Sequence, residues 1–581
     1  MKIALAQQNY HIGNFEENTR KIIEGIQWAK AQQADLVVFS ELCVCGYPPR
    51  DFLEFNDFIV KCYEAIDEIK EHADTIGVLI GSPARNPRIE GKDLFNAVFL
   101  LHEKQVKSEI HKTLLPNYDI FDEYRHFEPA YECNVMNFKC KKLAVTICED
   151  IWNLGDNPMY RITPMEKLMP LQPDVMINLS ASPYNYAQDV VRNSIVKAHA
   201  VKYHLPILYC NAVGAQTEII FDGGSLVYDS KGNKVKELKY FEEDYEIFDL
   251  EKLSKESESS KVPSTGGDIG EAGYYFYSAK DVGEGVNTLD YLSDEKNIDE
   301  IYYALILGIK DYFSKMGFGK AILGASGGID SAVTQALAVQ ALGKENVLAI
   351  LLPSQYSSTH SVTDATHLSK NLGNSYETIQ IHEIYESFLK ELKDVFLDLP
   401  PGVAEENIQS RVRGSLLMAV ANKFGYILLN TSNKSELATG YGTLYGDMAG
   451  GLSVLGDVYK MQVYALAGYI NKKFGDTSGK ELIPKNIIDK APSAELRPDQ
   501  KDSDTLPEYH LLDKILYEYV ELRKGPNEII AKGFEPSLVK RILGLVNSNE
   551  YKRNQFCPIL RVSCKAFGTG RRVPIVGKYL S

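Results

Sequence analysis

The chain has 581 residues, 44% of them hydrophobic and 24% charged, enough apolar material for cores of ordinary size in more than one domain. Lys+Arg 63 against Asp+Glu 78 gives a formal net charge of −15, so the chain lacks the diffuse positive field that sequence-blind nucleic-acid binding requires. No run approaches the roughly 20 apolar residues that span a bilayer, and Met1 leads straight into an apolar run, so no membrane partner and a cytoplasmic location are expected.

Short apolar runs bounded by turn residues predict buried strands at Lys2–Ala6, Asp35–Ser40, Gly77–Gly81, Phe95–Leu101, Leu143–Cys148, Val175–Leu179 and Leu205–Asn211. Helix-period segments lie between some of them. Phe15, Ile22, Ile23, Ile26 and Ala29 share one face after Asn14, a predicted N-cap. Residues 222–233 read as a closing hairpin, giving an α/β domain over 1–253. Seven of nine cysteines fall before residue 211, at spacings that suit neither a disulfide framework nor a zinc site, so Cys43 and Cys45 are expected to pack as thiols.

From 254 to 291 the apolar period breaks into Ser/Glu-rich and then Gly-rich text, a linker composition. An amphipathic run over Ile298–Phe313 opens a second α/β domain, 292–581. Its predicted buried strands are Ala321–Leu323, Val347–Leu352 and Tyr426–Asn430, in keeping with a parallel sheet covered by helices.

Ser326-Gly327-Gly328-Ile329-Asp330-Ser331 stands between the first of these strands, ending near Gly324, and a helical run from Ala332 to Leu342. A glycine-rich turn feeding a helix offers unpaired N–H groups and a positive dipole end to an anion. The lysine of a Walker loop is missing, while Asp330 supplies a carboxylate suited to a Mg²⁺ shared with phosphates. The string resembles the pyrophosphate loop of the N-type ATP pyrophosphatases, which cut ATP between its α and β phosphates to adenylate an oxygen. A second match is Asn430-Thr431-Ser432-Asn433-Lys434-Ser435-Glu436, at the carboxyl end of a predicted strand. Asn433-x-x-Glu436 is also the pattern of a capping box. In the functional reading, Glu436 is a second Mg²⁺ ligand opposite Asp330.

In the first domain Glu41, Lys112 and Cys148 each stand at or just past a strand end. Singly they read as a turn cap, a solvated charge and a small buried hydrophobe. Together they suit amide hydrolysis. A thiol with a free pKa of about 8.5 needs a base, which Glu41 provides, and a tetrahedral oxyanion needs a positive donor, which Lys112 provides. The set, with its flanking Gly46-Tyr47-Pro48-Pro49, Leu115-Pro116-Asn117-Tyr118 and Asn178 to Pro183, resembles the nitrilase superfamily and so implies an α-β-β-α sandwich.

An amide-cleaving thiol domain ahead of an adenylating domain resembles the glutamine-dependent NAD synthetase family over essentially the whole chain. The resemblance implies a Rossmann-like second domain, ATP, glutamine and deamido-NAD as substrates, Mg²⁺ as cofactor, ammonia passed between sites, and a homo-oligomer. It places Tyr47, Tyr118, Glu149 and Ser182 near glutamine. Where related chains can carry an arginine six residues after that serine, this chain has Gln188, with Arg192 four further on as the remaining cation for the glutamine carboxylate. The family's ATP contacts fall on Gly324, Ser326, Gly327, Gly328, Asp330, Ser331, Thr431 and Lys460. Its deamido-NAD contacts fall on Asn407, Arg411, Glu436, Asp447, Lys552, Arg553 and Lys565. Asn407 and Arg411 share a helix face at i, i+4, whereas Arg413 points elsewhere. Two other readings use the same motifs: an ammonia-only synthetase, or a nucleotide-sensing protein with an inactive amidase domain.

Overall fold

The computed structural model describes every residue except 155–158, 255–287, 398, 476–480, 499 and 581, together with the backbone but not the side chain of residue 359. The chain divides into two units, Met1–Tyr277 and Ser278–Ser581. The division falls within the segment 254–291 expected as a linker, most of which lies outside the described residues.

The first unit stacks two six-stranded sheets. One runs, in spatial order, Asp244–Asp249, Lys2–Gln7, Leu36–Val38, Gly77–Arg85, Leu94–His102 and Gln105–His111. The other runs Lys234–Glu237, Leu226–Tyr228, Ile207–Asn211, Val175–Ser180, Lys141–Ile147 and Met136–Phe138. The central strands of both are parallel, and their outer pairs are antiparallel. Strand alternation explains the layers. Ile3 and Leu5 point into a core shared with Val145, Ile177 and Leu208 of the other sheet, while Ala4 and Ala6 face helix Phe15–Ala31. Helix Gln188–Tyr203 covers the second sheet through Ile195, Val196 and Ala200. The result is the expected α-β-β-α sandwich. Asn14 caps the first helix by accepting from the Glu17 amide at 3.3 Å, as its position in the sequence predicts.

The second unit holds a five-stranded, all-parallel sheet in the spatial order Ser375–Thr378, Val347–Leu351, Ala321–Gly324, Ile427–Asn430 and Leu452–Ser453. This is a doubly wound arrangement, and the strand order reverses between Ala321–Gly324 and Ile427–Asn430. Ligands of such sheets bind in the crevice beyond the carboxyl ends of the strands at that reversal. No described helix is long and apolar enough to cross a membrane.

Candidate active sites

In the first unit three strand ends deliver three side chains to one buried place. Glu41 follows Leu36–Val38, Lys112 follows Gln105–His111, and Cys148 follows Lys141–Ile147. All are at most 5% exposed. The Lys112 ammonium lies 2.7 Å from Glu41 Oε1 and 2.8 Å from Glu123 Oε1, and the Ala181 amide donates to Glu41 Oε2 at 3.0 Å. Burial alone would lower the Lys112 pKa, but the carboxylates of Glu123 and Glu41 outweigh it and hold the ammonium well above its usual range. Burial, then the Glu41 charge, raises the Cys148 thiol well above its usual range against the pull of Lys112, so the sulfur rests as a thiol. Cys148 has φ +41°, a left-handed conformation costly for a side chain of this kind and characteristic of strain held at a functional turn.

The turn is held by Asp150, whose carboxylate accepts from the amides of Ile147 (3.0 Å), Thr113 (3.0 Å) and Leu114 (2.8 Å), joining the Cys148 and Lys112 segments. Glu149, 3% exposed, accepts from the hydroxyls of Tyr118 at 2.9 Å and Tyr160 at 3.0 Å, and burial pushes its carboxyl up to about 7. Tyr47 donates to Glu123 at 2.8 Å. Ser182 is buried, and its amide donates to Asn211.

Two participants escape sequence reasoning. Glu123 is given no role by its sequence context, yet it binds Lys112 directly, and burial raises its carboxyl to about 7. Tyr160 reaches Glu149 from a separate loop. Arg192, expected on the glutamine carboxylate, is fully buried with its fork on Asp222 at 2.8 and 3.0 Å and on the Gly223 carbonyl. A second carboxylate would have to compete with that bidentate pair.

In the second unit the crevice at the strand reversal is a cavity lined by Gly324, Ser326, Gly328, Asp330, Ser331, Thr431, Glu436, Asp447 and Lys460. Gly327 has φ +77°, and a Cβ there would stand 2.3 Å from the Ser361 carbonyl, so glycine is the residue this turn accepts. Helix Ile329–Leu342 starts at the loop with its amides toward the cavity end. The Asn433 pattern is a capping box and also touches Asp330. The Glu436 amide donates to Asn433 Oδ1 at 3.0 Å, and Asn433 Nδ2 donates to Asp330 Oδ1 at 2.9 Å. Lys460 lies 2.5 Å from Asp330 and 3.7 Å from Glu436. Burial, then the Asp330 charge, pushes the Glu436 carboxyl up to about 8.

Four of the seven residues expected around deamido-NAD, Asn407, Arg411, Asp447 and Lys552, gather on the segment 440–447. Thr443 donates to Asn407 at 2.7 Å, Arg411 to the Leu444 carbonyl at 3.2 Å, and Lys552 to the carbonyls of Gly440 and Gly442 at 2.8 Å each. Asp447 accepts from the Thr443 amide at 2.6 Å. Arg553 is engaged otherwise: it is 7% exposed, and its fork is taken by the Leu437 and Ala438 carbonyls and by Glu550. The carbonyl of Lys565 accepts from the buried Lys434 at 3.0 Å. Arg413, set apart by helix spacing, lines the cavity at the strand reversal and donates to the Leu352 carbonyl at 3.0 Å.

Residues 2–254 match the carbon-nitrogen hydrolase family and residues 301–556 the NAD synthase family. Over 580 residues the chain is 42% identical to the glutamine-dependent NAD(+) synthetase of Synechocystis sp., covering 99% of this chain and 98% of the relative. The chain belongs to the glutamine-dependent NAD(+) synthetases. The member from Thermotoga maritima is 39% identical over 593 residues, covering 100% of this chain and 99% of the relative. A solved glutamine-dependent NAD+ synthetase from Acinetobacter baumannii, in complex with ADP, is 36% identical with a TM-score of 0.73, over 99% of this chain and 98% of that one.

Proposed function

We propose that the chain makes NAD from deamido-NAD, with glutamine as nitrogen donor and ATP cleaved to AMP and diphosphate. The observation that carries this reading is the coexistence on one chain of an intact Glu41-Lys112-Cys148 set and a pyrophosphate-loop cavity bearing Asp330 and Glu436. That coexistence favours it over an ammonia-only synthetase or a nucleotide sensor, neither of which needs a complete amidase site.

In the first unit Cys148 gives its proton to Glu41 as sulfur attacks the amide carbon of glutamine, and the oxyanion is stabilised by Lys112. An ammonium has three N–H bonds. Two of those on Lys112 are taken by Glu41 and Glu123, which leaves one for the oxyanion. Glu41 returns the proton to the departing nitrogen as ammonia, then deprotonates the water that hydrolyses the glutamyl thioester. Glu149, with Tyr118 and Tyr160, suits the ammonium of glutamine.

In the second unit the carboxylate of deamido-NAD attacks the α-phosphorus of ATP and expels diphosphate. Ammonia from the first reaction displaces AMP from the acyl adenylate. Two carboxylates share the single Lys460 ammonium, and burial, then the Asp330 charge, pushes Glu436 up; hard oxygen donors in that balance fit Mg²⁺. Asp330 and Glu436 would hold the ion, which neutralises charge developing on the departing diphosphate. The amides of the loop and Lys460 bind and orient the phosphates, and Arg413 stands at the same cavity. The chemistry belongs in the cytoplasm, where thiols such as Cys148 remain reduced. The reading is tested by AMP formation that depends on deamido-NAD and accepts glutamine nitrogen.

A further inference from the structure

Asn96 lies in strand Leu94–His102 and is 1% exposed. Its side-chain nitrogen donates to Glu41 Oε1 at 2.7 Å and approaches Glu123 Oε2 at 3.4 Å. Its main-chain carbonyl accepts from the Lys112 amide at 2.8 Å. One residue thus bonds the base, the second buried carboxylate and the lysine that joins them. The amide orientation is decided by chemistry, because the reverse would turn a carbonyl oxygen toward two carboxylates. The consequence is visible on its other side, where Asn96 Oδ1 is buried with no hydrogen-bond partner. Buried orphans of this kind are uncommon, and they persist where a site requires the other half of the group.

The arrangement answers an electrostatic need. Glu41 and Glu123 are both buried and share the Lys112 charge, so like-charge repulsion works against the pair. A neutral group with two N–H bonds can bridge them without adding charge, and no other uncharged side chain is seen to bond both among the described residues. Other ionisable groups bordering the set are Tyr47, Cys148 and Glu149.

Resting on the amidase reading above, we infer that Asn96 is a positioning residue of the glutaminase, the neutral strut that holds Glu41 against Lys112 and in line with Cys148. It touches no reacting atom, so its removal is expected to act on turnover more than on glutamine binding.

The experiment uses the full chain and compares Asn96→Ala, Asn96→Asp and wild type. Three quantities are read: glutamate release across pH, ammonia-supported NAD formation, and the rate at which iodoacetamide alkylates Cys148. Asn96→Ala should lower glutaminase kcat by about 10²-fold, the usual consequence of losing sub-ångström placement, with KM for glutamine within about twofold. Ammonia-supported synthesis should be unchanged. Asn96→Asp keeps shape but replaces the donor with a third carboxyl, so it should move the acidic limb of the glutaminase pH profile upward by about one unit or more. It should also slow alkylation at pH 7 by about tenfold. A merely structural asparagine predicts the wild-type pH profile and alkylation rate for Asn96→Asp, and that result would overturn the inference. Absence of glutamate release from the wild type would instead strike the amidase reading, and the alkylation rates would still judge Asn96.

Discussion

The Lys460 ammonium lies 2.5 Å from Asp330 Oδ2, inside the cavity that the pyrophosphate loop faces. With Glu436 at 3.7 Å, the same ammonium occupies electrostatically the place between the two carboxylates. Lys460→Ala should therefore raise affinity for Mn²⁺, used as a paramagnetic probe without nucleotide, by at least about tenfold, while AMP formation falls. Electron paramagnetic resonance titration reads the first quantity. Equal Mn²⁺ affinity in the variant and the wild type would show that the lysine does not guard the pair.

Asp330→Asn should abolish NAD formation from glutamine and from ammonia alike, because a neutral amide is a poor ligand for a hard dication beside diphosphate. Basal glutamate release should survive. Normal adenylation in this variant would reduce Asp330 to the first-turn residue of helix Ile329–Leu342.

Gly327→Ala places a methyl group 2.3 Å from the Ser361 carbonyl at φ +77°. The loop has to deform, so KM for ATP should rise by about tenfold or more while glutaminase is untouched. Wild-type ATP kinetics in Gly327→Ala would mean that the loop is not the phosphate cradle.

Much of both sites is legible in the sequence, for identifiable reasons. The central strands are buried on both faces and read as continuous apolar runs. Edge strand Gln105–His111, with its exposed, polar QVKSEIH, carries no such signal. The Glu-Lys-Cys set and the Ser-Gly-Gly-x-Asp-Ser loop stand out because their residue types are chemically unusual at strand ends. Partnership between distant residues is what the chain text conceals. Arg192 looks available until Asp222, thirty residues on, is seen to occupy it, and Arg553, expected at deamido-NAD, folds over the end of helix Lys434–Thr439. Arg413 shows the limit of helix-face arithmetic. Facing away from Asn407 and Arg411, it lines the cavity at the strand reversal, which lies on that other side.

Glu149 is expected to set the pH dependence of glutamine use. Burial pushes its carboxyl up to about 7, so it is mostly neutral below that pH and anionic above it. If it holds the glutamine ammonium, KM for glutamine should rise up to tenfold per unit as pH falls below about 7, and Glu149→Gln should weaken binding and flatten the slope. The sign for stability is opposite. The folded state retains a proton between the ordinary 4.5 and about 7, so this group favours folding fully below 4.5 and loses up to about 3 kcal/mol of that contribution as pH rises to about 7. Thermal unfolding of Glu149→Gln at pH 5 and pH 8 checks it: the variant should gain on the wild type at pH 8. A KM that stays flat from pH 6 to 8 in the wild type would remove Glu149 from the ammonium site.

The central claim is that one chain carries two chemically separate sites joined by ammonia, and the Cys148→Ala variant tests it most directly. NAD formation should be measured with deamido-NAD, ATP and Mg²⁺, supplying nitrogen first as glutamine and then as saturating ammonium at a pH where free ammonia is present. The account predicts loss of glutamine-supported synthesis with ammonia-supported synthesis and AMP release close to wild type, since the thiolate serves only the first reaction. A folded Cys148→Ala protein that fails equally with ammonia, or that still uses glutamine, would contradict it.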